Sequence, residues 1–173
     1  MEASEEKRAE YLKTIESIPL EDLVYIDESG IEMNMCKDRG WGKKGQILPD
    51  KKSGKHYEKK NIVAGLCANE SVAAFVFNGS CNTELFESWV EQFLVQELKP
   101  GQVVIMDNAS FHKSQKTRQL IESAGCRLIF LPPYSPDLNP IEQFWANMKK
   151  WIKNKISEFG ELYKTICAFF AVP

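Results

Sequence analysis

The sequence predicts an α/β domain in which a mixed sheet carries packed helices. Three observations predict it. Two fully apolar runs, Leu23 to Ile26 and Val103 to Met106, each stop at an acid, Asp27 and Asp107; such continuous runs mark strands buried on both faces. Residues 103–131 read as strand, helix, strand, the pattern of a right-handed crossover between parallel strands. Two further segments, 82–98 and 140–156, place apolar residues at the 3 and 4 spacing of a helix with one buried stripe.

The elements follow in order. Residues 4–17 suit a short charged helix with Tyr11, Leu12 and Ile15 on its apolar side, ended by Pro19. Leu23 to Ile26 is the first strand. Asp27-Glu28-Ser29-Gly30 reads as a turn and Ile31 to Cys36 as a returning strand, together a hairpin. Residues 37–60, rich in Lys and Gly, read as an extended basic loop with a short strand near Gln46 to Leu48. Ile62 to Ala68 and Val72 to Phe77 are strands around the turn Asn69-Glu70-Ser71. Leu85, Phe86, Trp89, Val90, Phe93, Leu94 and Leu98 form one helical stripe, capped by Asn82 or Thr83 and stopped by Pro100-Gly101. After the strand Val103 to Met106 come a helix over 114–123 ended by Gly125, and a strand over 126–131. A proline-rich connector, 132–140, leads to the last long helix, with Asn139 as its N-cap and Ile141, Phe144, Trp145, Met148, Trp151, Ile152 and Ile156 as its stripe.

At 173 residues the chain is about one domain, long enough to bury a real core. We divide it into a helical or linker segment, 1–20, and one main domain, 21–173. No apolar run approaches the roughly 20 residues of a membrane helix, and the acidic N-terminus lacks a secretory signal core. Cysteines stand at 36, 67, 81, 126 and 167. An odd count with no closely spaced pair supports neither a disulfide framework nor a thiolate zinc site, and His56 and His112 are too few for a histidine one. A cytoplasmic protein with reduced thiols is expected.

A net charge of −2 hides an asymmetry. Residues 1–28 carry nine acids and three bases, whereas residues 37–60 carry nine bases and three acids, and residues 147–155 carry four lysines and no acid. Local basic patches matter more for phosphate contact than the sum does. The bland alternative is a solvated loop and a solvated helix face.

The acids carry the chemistry. A carboxylate at the end of a buried strand is costly to desolvate unless it is paired or binds a cation, and ligand sites gather beyond the carboxyl ends of strands in open sheets. If the two strands are parallel neighbours, Asp27 and Asp107 lie side by side, where a hard cation would relieve their repulsion. Glu142 opens the last helix and could join them. Each acid also has a structural reading. Asp27 and Asp107 suit turns, Glu142 fits a capping box with Asn139, and His112 could simply be packed.

The segments Met106-Asp107-Asn108-Ala109-Ser110-Phe111-His112-Lys113 and Leu131-Pro132-Pro133-Tyr134-Ser135-Pro136-Asp137-Leu138-Asn139-Pro140-Ile141-Glu142-Gln143-Phe144-Trp145 closely resemble DDE transposases of the mariner-like superfamily, nearest to its bacterial insertion-sequence branch. Tyr25-Ile26-Asp27-Glu28-Ser29-Gly30 and Arg39-Gly40-Trp41-Gly42-Lys43-Lys44-Gly45 fit the same branch, and the resemblance spans roughly residues 22–155. It implies a ribonuclease H-like fold with a central mixed sheet of about five strands and helices on both faces. It also implies a metal triad of Asp27, Asp107 and Glu142 holding two Mg²⁺ or Mn²⁺ ions. Thirty-four residues lie between Asp107 and Glu142, a spacing familiar in that superfamily.

The implied reaction is DNA cleavage at element ends, then attack of the freed 3′-hydroxyl on target DNA. Asn108, His112 and Asn139 become candidates for supporting the ligands. Arg39, Trp41, Lys43, Lys44, Lys149, Lys150 and Lys153 become candidate DNA contacts. The implied partners are terminal inverted repeats, target DNA and a second copy of the chain on DNA. Relatives carry an N-terminal helix-turn-helix region, and only about 20 residues precede the first strand here, so either this chain is the catalytic domain of a longer protein or the element encodes the two parts in separate frames. Two alternatives share the fold: a catalytically silent or domesticated DNA-binding and assembly module, and a nuclease of RNA–DNA hybrids.

Overall fold

The computed structural model describes residues 4–34 and 57–171. Five strands form one sheet: β1 (Leu23–Asn34), β2 (Tyr57–Cys67), β3 (Glu70–Phe77), β4 (Val103–Met106) and β5 (Arg127–Phe130). Their spatial order is β3-β2-β1-β4-β5. The first three pair antiparallel, while β4 lies parallel to both β1 and β5.

Helices cover both faces, as expected. On one face Leu23, Tyr25 and Ile105 meet α1 (Glu5–Glu16) through Tyr11. The same face meets α5 (Ile141–Phe159) through Trp145, Met148 and Ile152, and α6 (Leu162–Ala171) through Leu162 and Ile166. On the other face Val24, Ile26, Val104 and Met106 pack against Phe86 and Trp89 of α2 (Thr83–Trp89) and Ile121 of α4 (Gln115–Ser123). Between them, α2 widens into a π turn at Val90–Leu94 and finishes as α3 (Val95–Glu97). The Asn82 side chain caps α2 by accepting from Leu85 N at 2.8 Å.

The expected hairpin at Asp27–Gly30 does not form. Instead β1 runs straight through it, and those four residues pair with Ala64, Val63, Ile62 and Asn61 of β2. A partner strand that satisfies every backbone group outweighs local turn propensity. Likewise 57–60, expected in the basic loop, begins β2 opposite Ile31–Asn34. The expected strand near Gln46 to Leu48 lies outside the described residues. The β2–β3 turn is tighter than expected, with positive φ at Ala68 and Asn69, the conformation of a two-residue hairpin loop.

Candidate active site

The parallel pairing of β1 with β4 builds the site. Leu23, Val24 and Tyr25 pair with Val103, Val104 and Ile105, and the same register carried two residues on sets Asp27 level with Asp107. Alternation along a strand sends neighbouring side chains to opposite faces. Asp27 therefore shares the face of Leu23 and Tyr25, which α5 covers, and Trp145 Nε1 donates to Asp27 Oδ2 at 3.3 Å.

Asp107 borders a cleft of about 460 Å³ with Asn108, Leu131, Pro132, Asn139 and Glu142. The connector beyond β5 forms its far wall, including Tyr134, whose φ is +56°. Glu142 enters from the first turn of α5. Asp27, only 8% exposed, lies off the lining, one strand from Asp107.

Burial pushes the Asp27 carboxyl up to about 7, and the negative charges of Glu28, Glu142 and Asp107 add to the rise. Asp107 shifts the other way. Its pKa falls chiefly because His112 hydrogen-bonds to it, helped by Ala109 N donating to Oδ1 at 2.9 Å. Burial alone would lower the His112 pKa, but hydrogen bonds and charge from Asp107 and Glu28 outweigh it and lift it to about 9. His112 is thus an imidazolium, with Nδ1–H toward Asp107 Oδ1 at 2.7 Å and Nε2–H toward Glu28 Oε1 at 2.8 Å.

The other expected supporting residues divide. Asn108 Nδ2 donates to Leu131 O at 2.6 Å, tying the end of β4 to the end of β5. Asn139 is not an N-cap: α5 begins after Pro140 without a side-chain cap. The Asn139 N–H goes to Pro136 O at 3.1 Å, so the capping box with Glu142 is not formed either. Instead Asn139 lines the cleft with Oδ1 buried and without a hydrogen-bond partner. Lys149, Lys150 and Lys153 are exposed on α5. Arg39, Trp41, Lys43 and Lys44 lie outside the described residues.

Sequence reasoning missed Glu28 and the polar role of Trp145. The parity of β1 could have shown that Glu28 faces away from Asp27, but not what it meets.

The donors at this cleft are carboxylate oxygens, the hard set that suits Mg²⁺ or Mn²⁺ rather than a thiolate-seeking ion. A cation would also relieve the anion at Asp27 that burial and three neighbouring acids disfavour. The acids face one region without closing on one point: among the described residues, no three of His, Cys, Asp and Glu are grouped to hold an ion. Also among the described residues, no helix is long and apolar enough to cross a membrane.

Comparison with known proteins agrees with this architecture. The insertion element IS630 39 kDa protein of Shigella sonnei is 27% identical over 170 residues, 95% of this chain and 49% of that protein. The transposable element Tc1 transposase of Caenorhabditis elegans is 32% identical over 66 residues, 38% of this chain and 24% of that one. This chain therefore spans about half the length of the insertion-element relative.

Among solved structures, the Mos1 transposase paired-end complex with left transposon end superposes with a TM-score of 0.63 at 16% identity, covering 98% of this chain and 61% of that one. The Mos1 catalytic domain, solved with Mg and with Mn, gives 0.58 at 14% identity, covering 98% and 92%. The catalytic core of BIV integrase gives 0.53 at 14% identity, covering 85% and 79%. These likenesses establish a ribonuclease H-like fold. The family model of the DDE superfamily endonucleases matches residues 22–163, which takes in Asp27, Asp107 and the glutamate that opens α5, and the chain belongs to that superfamily.

Proposed function

We propose that this chain cuts DNA at the ends of a mobile element and joins the freed 3′-hydroxyl to target DNA, using Mg²⁺ or Mn²⁺ held by Asp27, Asp107 and Glu142. The observation that carries the reading is the β1–β4 register, which levels Asp27, inside β1, with Asp107, just past the end of its parallel neighbour β4, beside a cleft that Glu142 enters from α5. Two ions bound there would activate the attacking oxygen and stabilise the leaving one in an in-line displacement.

The chain's own residues do the rest. The sheet fixes Asp27 and Asp107. The stiff connector sets where Glu142 stands, and its helix-end position lets it lean into the cleft when a cation arrives. The buried Trp145 indole holds one oxygen of Asp27.

The face of α5 that bears Glu142 continues through Ala146, Lys149 and Lys153, at steps of 4, 7 and 11 residues that keep one side of a helix. By helical rise, Lys149 and Lys153 stand about 10 and 16 Å along the axis from Glu142. We assign them to DNA phosphates leading away from the cleft, with Lys150 at the edge of that line. Replacing both Lys149 and Lys153 by Ala is expected to weaken DNA binding across all sequences and to reduce the log–log salt slope by about 2. An unchanged slope in a fluorescence-anisotropy titration would remove these lysines from the interface.

The reading further includes a dimer of this chain on DNA, end recognition by an N-terminal helix-turn-helix part, and action in the bacterial cytoplasm. Its test is nicking of supercoiled DNA by the full chain. Activity is expected with Mn²⁺ or Mg²⁺ and none with chelator. Tight DNA binding with no nicking under either metal, even with the recognition part supplied, would overturn it in favour of the silent assembly module.

A further inference from the structure

The opposite face of β1 carries a feature that the triad does not explain. Glu28 follows Asp27 directly, so its side chain leaves the strand on the other side of the sheet. There it accepts from His112 Nε2 at 2.8 Å, while His112 Nδ1 reaches Asp107 Oδ1 at 2.7 Å. A continuous link, Glu28 to His112 to Asp107, thus runs from the middle of β1 to just past the end of its parallel neighbour β4.

The middle member is held hard. His112 has no solvent exposure and sits in the 3-10 turn Ser110–Lys113. Its ring centroid is 4.6 Å from that of Phe86 and 4.5 Å from that of Phe111. A side chain so enclosed cannot touch DNA or an attacking water, which excludes a general acid or base. What it can do is orient. Asp107 Oδ1 receives both the His112 ring and the Ala109 amide, so this oxygen is committed. Oδ2 is left for the cleft that Asp107 borders.

We propose that Glu28 and His112 are positioning residues that lock Asp107 in the rotamer presenting a single oxygen, Oδ2, to the metal. This rests on the assignment of Asp107 as a ligand. Partners of a ligand's far side commonly change metal affinity about 10- to 100-fold when removed.

The test is Mn²⁺ affinity of the full chain, measured calorimetrically and by the loss of the free Mn²⁺ electron paramagnetic signal, well below the unfolding temperature of each variant. Wild type, Asp107→Asn, Glu28→Ala, Glu28→Gln and His112→Asn are compared. Glu28→Ala is expected to weaken Mn²⁺ binding about 10- to 100-fold. Glu28→Gln, whose amide oxygen can still accept from Nε2, restores most of it. If Glu28→Ala does not fold, His112→Asn, which keeps a short donor toward Asp107 and severs the link to Glu28, is expected to fall between wild type and Asp107→Asn.

A purely structural ion pair would lower the unfolding temperature and leave Mn²⁺ affinity unchanged in the folded variants; that result overturns the proposal. The two readings fail separately. If Asp107→Asn binds Mn²⁺ as well as wild type does, the ligand assignment falls and this inference falls with it. If Asp107→Asn loses binding while the Glu28 and His112 variants keep it, only the positioning role falls.

Discussion

Asp27→Asn is expected to make the metal-free protein more stable and at the same time inactive. The Asp27 carboxyl titrates near 7 in the folded chain, raised from 3.8 chiefly by burial. Below about pH 4 the group is neutral in both states and costs nothing. Between about 4 and 7 the unfolded chain releases this proton while the folded chain keeps it. The folded state then binds more protons, and stability falls as pH rises through the window. Above 7 the whole penalty is present, on the order of 2–4 kcal/mol at about 1.4 kcal/mol per pKa unit.

Asparagine removes the charge and keeps an oxygen for the Trp145 indole, so most of that amount is expected back at pH 7.5 and little at pH 4. His112 adds a second, separate slope. Its folded pKa of about 9 lies above 6.5, so its contribution is complete below 6.5 and is lost as pH climbs toward 9. Wild type and variant share that slope, and their difference reports Asp27 alone. Millimolar Mg²⁺ is expected to stabilise the wild type above pH 7 and to leave Asp27→Asn unmoved, because only a ligand bound to the folded state shifts the equilibrium. DNA nicking by the variant is expected to fall at least about 1,000-fold, roughly 4 kcal/mol of transition-state stabilisation. Equal urea midpoints for the two proteins at pH 7.5 would mean that Asp27 carries no such strain.

The strands that place this aspartate were legible because their signal is local. Leu23 to Ile26 and Val103 to Met106 are apolar at every position, and a strand buried on both faces leaves no other composition. The helix stripes at 85–98 and 141–156 are legible for the same reason. Where a local preference competed with a distant partner, the reading failed. Asp27-Glu28-Ser29-Gly30 has turn composition, yet β2 claims it residue by residue. α6 was missed because Thr165, Ile166, Phe169 and Phe170 are poor helix formers; packing against α5 and β2 overrides that preference.

The site shows the same division. The motif and the apolar runs before Asp27 and Asp107 single out the acids that the fold brings near one cleft, although β1 runs on past Asp27 to Asn34. How they are held was not legible, since Glu28 and His112 lie 84 residues apart and Trp145 and Asp27 lie 118 apart. No periodicity within a segment encodes such pairs. Asn139 is the reverse case: a strong cap signal in sequence, but in the fold its amide goes to Pro136 and its side-chain oxygen accepts nothing.

That failed cap bears directly on Glu142→Gln, which is expected to abolish cleavage at almost no cost in stability. A capping box would need Asn139 to accept from the first turn and Glu142 to accept from the Asn139 amide. Neither bond is made, so the glutamate does little for the helix beyond its charge. A negative charge at a helix N-terminus contributes about 0.3–1 kcal/mol, but here it also repels Asp27. The two oppose, and the unfolding free energy of Glu142→Gln is expected within about 0.5 kcal/mol of wild type.

Glutamine preserves the size and an oxygen but not the anion that a divalent ion requires, so nicking in Mg²⁺ is expected to drop at least about 1,000-fold. The contrast with Asp27 is the informative part. Removing the buried acid should relieve the fold, whereas removing the exposed one should leave it untouched, and both should silence the chemistry. A Glu142→Gln protein that cuts normally but unfolds about 1 kcal/mol more easily would return this residue to the role of helix cap and leave the triad without its third member.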